Sequence, residues 1–341
     1  MRAATATLII LSAVAGCTAP SQSGEPSVGP TASTSKPVAS PNEILPFAAL
    51  PEPRCCQSAD WGPGYFLVAG GQGNDGRPTD ELLRVYPNNA TVERAGKLTS
   101  ARFGTSMGFG LDRFFVVGGR TATGPSKDIL KVDAETGKVS KAAESLPAAW
   151  SFTAVVWDYR DFPYLGCVGG CMYIVGGIND AQSAPTYNSA IYRYTTFEPA
   201  DITVLQSSLP TGRHSAAVFF DGERIFILGG TGASGPLDEV LRLEPENDAL
   251  TLVGHLPTPL SGAAAVWDGK YAYLVGGSGT GFAETSTILR FDPKTFAAEA
   301  IELALPSPRS RVTIGHHGSA YLLGGDAEQG KSADILKMTW R

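Results

Sequence analysis

Soft and imidazole ligands are scarce in this chain of 341 residues, which holds four histidines, four methionines and five cysteines. No set of four zinc ligands at familiar spacing can be assembled from them, so neither a metal nor a cofactor is expected. The histidines are His214, His255, His316 and His317. His316 and His317 are adjacent, and neighbours on a strand point to opposite faces and do not grip one ion. Long apolar runs are missing too: beyond the first residues, none approaches the 18 or so that a membrane-crossing helix needs. Nor is there an excess of positive charge. The formal net charge of -6 repels nucleic acid and anionic headgroups, so a nucleic-acid partner is excluded.

What is present begins with MRAATATLIILSAVAGC: one basic residue at Arg2, then an apolar run too short to span a bilayer, as in an export signal. Its end, Val14-Ala15-Gly16-Cys17, resembles the lipobox of bacterial lipoproteins. That resemblance implies a signal peptide over 1–16 and a lipid on Cys17, the membrane anchor of a protein in the cell envelope facing away from the cytoplasm. Residues 17–43 are rich in Ser, Thr, Pro and Gly, cannot bury enough surface to fold, and read as a tether. Residues 44–341 remain for the folded part.

That part repeats. Gly-Gly follows a short apolar run at YFLVAGG, RFFVVGG, MYIVGG, IFILGG, YAYLVGG and AYLLGG, with doublets 48, 58, 53, 47 and 48 residues apart. A period near fifty is the mark of a repeat architecture. About a dozen residues after each doublet comes an apolar pair and a base: Arg84, Lys131, Arg193, Arg242, Arg290 and Lys337. Before each doublet comes a further short strand, as in TAVVWD and AVFFD. Short strands broken by Gly, Pro, Asn and Asp describe antiparallel sheets. Six radial repeats of four strands make a β-propeller.

The chain here resembles the kelch family, whose repeats carry an apolar run, Gly-Gly and later aromatics. It lacks that family's later Trp, with ATVE, GKVS, DITV and ALTL in its place. The resemblance implies an all-β, six-bladed kelch-type propeller in which the Gly-Gly run is the innermost strand. The spare pattern before Tyr65, ILPFAAL and RCCQSADW, and the last strand ADILKMTWR imply a sixth blade closed by N- and C-terminal strands.

Four cysteines remain besides Cys17, and an even count in an exported protein favours disulfides. Cys167 and Cys171 flank a Val-Gly-Gly turn, so a local bridge is expected. Cys55 and Cys56 are disulfide candidates that form an adjacent pair, bridge elsewhere, or stay as buried thiols. Asp112, Asp158, Asp221 and Asp268 recur at strand ends and read as turn residues. Asn74, Asp75 and Asp80 offer oxygens, but their spacing is not that of a calcium loop.

Function is expected where the repeat breaks. Between Trp157 and Met172 one connection is about ten residues longer than its equivalents, with Tyr159, Arg160, Asp161, Phe162 and Tyr164 as candidate ligand contacts. The reading is a monomeric, non-catalytic propeller that binds a protein or a carbohydrate there. One rival is a sugar epimerase resembling the sialic acid mutarotases, for which Arg102, Arg213, Arg309, Asp158 and Asp161 are the available pieces. Another is a structural envelope component.

Overall fold

A computed structural model of the protein describes residues 40–197 and 200–340, and Ala39–Arg341 form one compact unit. The signal, Cys17 and most of the expected tether lie outside the described residues. The described part is all-β, with two single 3-10 turns and no α-helix. None of its helices is long and apolar enough to cross a membrane.

Six antiparallel sheets carry the fold. In chain order, the first comprises Ser58–Trp61, Phe66–Ala69, Glu81–Tyr86 and Thr91–Lys97. The second holds Ser106–Gly110, Arg113–Val117, Gly124–Asp133 and Val139–Trp150, with Arg120–Thr121 added. The third holds Ala154–Asp158, Cys171–Val175, Ala190–Thr195 and Asp201–Ser208. Ala217–Phe220, Ile225–Leu228, Glu239–Glu244 and Ala249–His255 form the fourth. Ala264–Trp267, Ala272–Val275, Thr287–Phe291 and Ala298–Ala304 form the fifth. The sixth joins Thr313–His317, Ser319–Leu323 and Asp334–Trp340 to the N-terminal strand Pro41–Ala49, which pairs Leu45 with Lys337 and Ala48 with Ile335. That strand starts at Pro41, three residues before the boundary expected from composition.

The strand before each glycine doublet is buried on both faces, hence its unbroken apolar run (FLVA, FFVV, CMYIV, IFIL, AYLV, SAYLL) in place of alternation. Neighbouring sheets cover it. One apolar cluster lies between each successive pair, as where Leu67 and Leu82 of the first sheet meet Phe114 and Val116 of the second. The series ends with Phe66, Val68 and Leu83 of the first sheet against Tyr321, Leu323 and Ile335 of the sixth. Fully burying one such Phe or Leu stabilises by about 1.5–3 kcal/mol.

The glycine doublets stitch these sheets together. The second glycine's amide donates to a carbonyl of the next sheet's entry segment: Gly71 to Arg102, Gly119 to Trp150, Gly177 to Arg213, Gly230 to Leu260 and Gly277 to Arg309, all at 2.8–3.0 Å. Gly325 donates to Arg54 at 3.1 Å, so the last sheet is stitched to the first. The first glycine of each pair has φ between +58° and +64°, and a Cβ there would press into the same carbonyl oxygen. Only glycine fits both the left-handed backbone and the close approach.

The innermost strand of each sheet is the one preceding the glycine run, not the glycine run itself. Ser58–Trp61, Ser106–Gly110, Ala154–Asp158, Ala217–Phe220, Ala264–Trp267 and Thr313–His317 each neighbour the next, and the last neighbours the first. This corrects the expected phase by one strand. RCCQSADW accordingly contributes its strand to the first sheet, while ILPFAAL serves the sixth.

Candidate ligand-binding cavity

The inner strands surround a cavity of about 680 Å³. Each enters from a residue in the left-handed conformation: Cys56, Gly104, Phe152, Ser215, Gly262 and Arg311, with φ between +51° and +63°. Backbone bonds of 2.7–2.9 Å run Gly104 to Cys56, Phe152 to Gly104, Ser215 to Phe152, Gly262 to Ser215 and Arg311 to Gly262. These six residues line a narrower recess of about 110 Å³.

Five residues beyond each of them stands Trp61, Phe109, Trp157, Phe220, Trp267 or His316, and all six line the larger cavity. Among the described residues, Asp60 is the one carboxylate in that lining, which has no Lys or Arg. Its carboxylate accepts from the amides of Trp61 at 2.8 Å and Phe109 at 2.7 Å, joining the first and second sheets. Burial nonetheless pushes its pKa up to about 6, outweighing the two amides that favour the anion. His316 is held below the usual imidazole range, again chiefly by burial.

The long insertion joins Ala154–Asp158 to Cys171–Val175, two adjacent strands of one sheet. Its five expected contact residues divide. Tyr159 lines the cavity, 65% exposed, with its ring 6.1 Å from that of Trp157. Protein packed around its hydroxyl, and the Asp60 carboxylate, hold that hydroxyl above the ordinary phenol range. Tyr164 is 69% exposed and does not line the cavity. Arg160, Asp161 and Phe162 are spent on the loop itself. Arg160 grips the fully buried Asp158 at 2.9 and 3.0 Å, reaches Glu246 at 3.1 Å, and lies over the rings of Phe162 and Phe220. Asp161 accepts from the Gly169 amide at 2.6 Å, and Phe162 is buried in the core. Cys167 and Cys171 form a disulfide across a Cα separation of 5.2 Å, both buried. Cys55 and Cys56 are buried free thiols.

Arg102, Arg213 and Arg309, the pieces available to an enzyme of the mutarotase type, do not line the cavity. They are buried in the entry segments, where Arg102 and Arg213 donate to the carbonyls of Gly118 and Gly229 at 3.0 and 2.9 Å. Their acidic partners are Asp128, Glu239 and Asp334. Asp158 is bound by Arg160, and Asp221 and Asp268 accept from the amides two and three residues ahead, closing their turns. Asn74 accepts from Lys331, Asp75 from Arg77, and Asp80 pairs with Lys97. Their oxygens are occupied by turn and ion-pair chemistry.

Asp60 and these aromatic positions are not among the site residues expected from the sequence. The signal was there: ADW, GFG, VWD, FFD, VWD and GHH place a ring at one point in every inner strand. No protein-family model matches the sequence, and no curated protein matches it.

Proposed function

We propose that the chain is a six-bladed β-propeller of the kelch type, exported and anchored by a lipid on Cys17 to a bacterial membrane. We read it as binding a carbohydrate or protein ligand at the aromatic mouth of its central cavity, without catalysis. The cyclic contacts of the six inner strands and the Gly325–Arg54 stitch support the propeller reading. The ring of Trp61, Phe109, Trp157, Phe220, Trp267 and His316 carries the binding reading. Flat aromatic faces suit the apolar face of a sugar ring, and the absence of Lys and Arg from the lining argues for a neutral sugar over an anionic one.

One observation favours a second reading. A carboxyl with a pKa near 6, facing a sugar-sized cavity, is poised to pass protons at neutral pH, as sugar mutarotation requires.

A glycan array on the full chain, followed by a mutarotation assay on any sugar bound, separates the two. Binding of a neutral glycan that is lost in Trp267→Ala, with no turnover, is the expected outcome. Turnover abolished by Asp60→Asn replaces it with the enzyme reading. Absence of binding to every glycan leaves the cavity without the proposed ligand class.

A further inference from the structure

The free thiols stand at the seam between the first and last sheets. Cys55 lies in the short strand Arg54–Cys55, and Gly325, which donates to the Arg54 carbonyl, is followed directly by Asp326. Neighbours on a regular strand diverge, but Cys56 has φ +60°. The chain turns there, and the sulfurs of Cys55 and Cys56 and a carboxylate oxygen of Asp326 all lie within 4.8 Å of one another. Two sulfurs on one zinc ion, each bonded at about 2.3 Å, stand roughly 3.8 Å apart, so a small closure completes the site. Asp326 is already oriented: Arg311 donates to one oxygen at 2.8 Å and the Lys331 ammonium lies 4.0 Å from the other. Ligating carboxylates are ordinarily held this way by a surrounding partner. Cys56 and Arg311 line the narrow recess, which gives an ion a way in and an open position after it binds.

We propose that Cys55, Cys56 and Asp326 bind a thiophilic divalent metal ion of the zinc class, clamping the first sheet to the sixth. Charge balances: M²⁺ replaces the two thiol protons, which leave to solvent as the two metal–sulfur bonds form, so the buried cluster keeps its net charge. No electron transfer is involved. Sequence spacing hid the site, because its third ligand lies some 270 residues from the first two.

The test is a cobalt titration of the full chain carrying Cys17→Ser, purified under argon without reductant so that the Cys167–Cys171 bridge stays closed. One equivalent of Co²⁺ is expected to raise a sulfur-to-cobalt charge-transfer band, which Zn²⁺ then abolishes, and to raise the melting temperature. Cys55→Ser and Cys56→Ser each remove the band; Asp326→Asn retains it with affinity lowered about tenfold or more. Asp326→Asn also serves if a cysteine variant fails to fold. A band that survives Cys55→Ser, no band while two thiols titrate, or a Cys55–Cys56 disulfide in the folded protein overturns the proposal.

Discussion

Gly229 and Gly222 both have positive φ, yet they do different work. Gly229, at φ +60°, faces the Leu260 carbonyl of the next sheet, whereas Gly222, at φ +101°, looks into open space. Gly222→Ala carries only backbone strain, about 1–2 kcal/mol. Gly229→Ala adds a backbone clash and a lost stitch, and a cost above about 3 kcal/mol is expected. Denaturant unfolding of the two variants measures the difference. The doublets were legible in the sequence because glycine alone fits such a position. Asp60 was not, since one unrepeated carboxylate carries no periodic signal.

Two titrating side chains oppose each other. Burial and the Arg311 charge lower His214 to about 4, from 6.5 in the unfolded chain. Its contribution is therefore complete above about pH 6.5 and is lost as pH falls toward 4. Asp60 is raised from 3.8 to about 6, so its contribution is greatest below about 3.8 and lost as pH rises through 6. His214→Gln is expected to flatten the acid limb of stability. Asp60→Asn is expected to gain on the parent between pH 4 and 6, by up to about 2 kcal/mol given the partial exposure of the carboxyl. Chemical denaturation at pH 4.5 and 7 checks both; parallel profiles would contradict the two assignments.

At the scale of the element, the insertion is part of the third sheet's packing as well as its rim. Replacing DFPYL by glycine and serine would delete Phe162 and Leu165 from the core cluster as well as any ligand contact. Phe162→Ala alone is expected to cost about 3 kcal/mol. Tyr159→Ala and Tyr164→Ala, at exposed sites, are expected to leave the melting temperature within about a degree or two. Only Tyr159→Ala is then expected to weaken ligand binding. Opening the Cys167–Cys171 bridge with a double Ala replacement removes a short loop constraint of about 2 kcal/mol, read by thermal melting. The strand phase in the structure differs from the sequence expectation for a physical reason. The glycine runs are the most apolar segments because both faces are buried, whereas the true inner strands, such as SADW and AVFF, border the cavity and keep half-exposed positions. Composition pointed at the most buried strand, and the cavity pointed at its neighbour.

For the whole molecule, Asp334–Trp340 is paired on both sides, with Ser319–Leu323 and with Pro41–Ala49. Deleting the last ten residues is expected to abolish the cooperative unfolding transition. Removing residues 40–50 strips one edge strand and is expected to cost less, as followed by circular dichroism. The repeat made this pairing of the two chain ends legible, since the pieces left over there are complementary; pairwise ordering of the inner strands was not, because it depends on contacts no local pattern encodes. Native-state hydrogen exchange at the doublet amides tests closure most directly. In a closed six-sheet ring the Gly325 amide, bonded to the Arg54 carbonyl, is as protected as Gly71, Gly119, Gly177, Gly230 and Gly277, all exchanging only on global unfolding. Fast exchange at Gly325 with protection at the other five would mean an open array, and would contradict the propeller and the cavity it encloses.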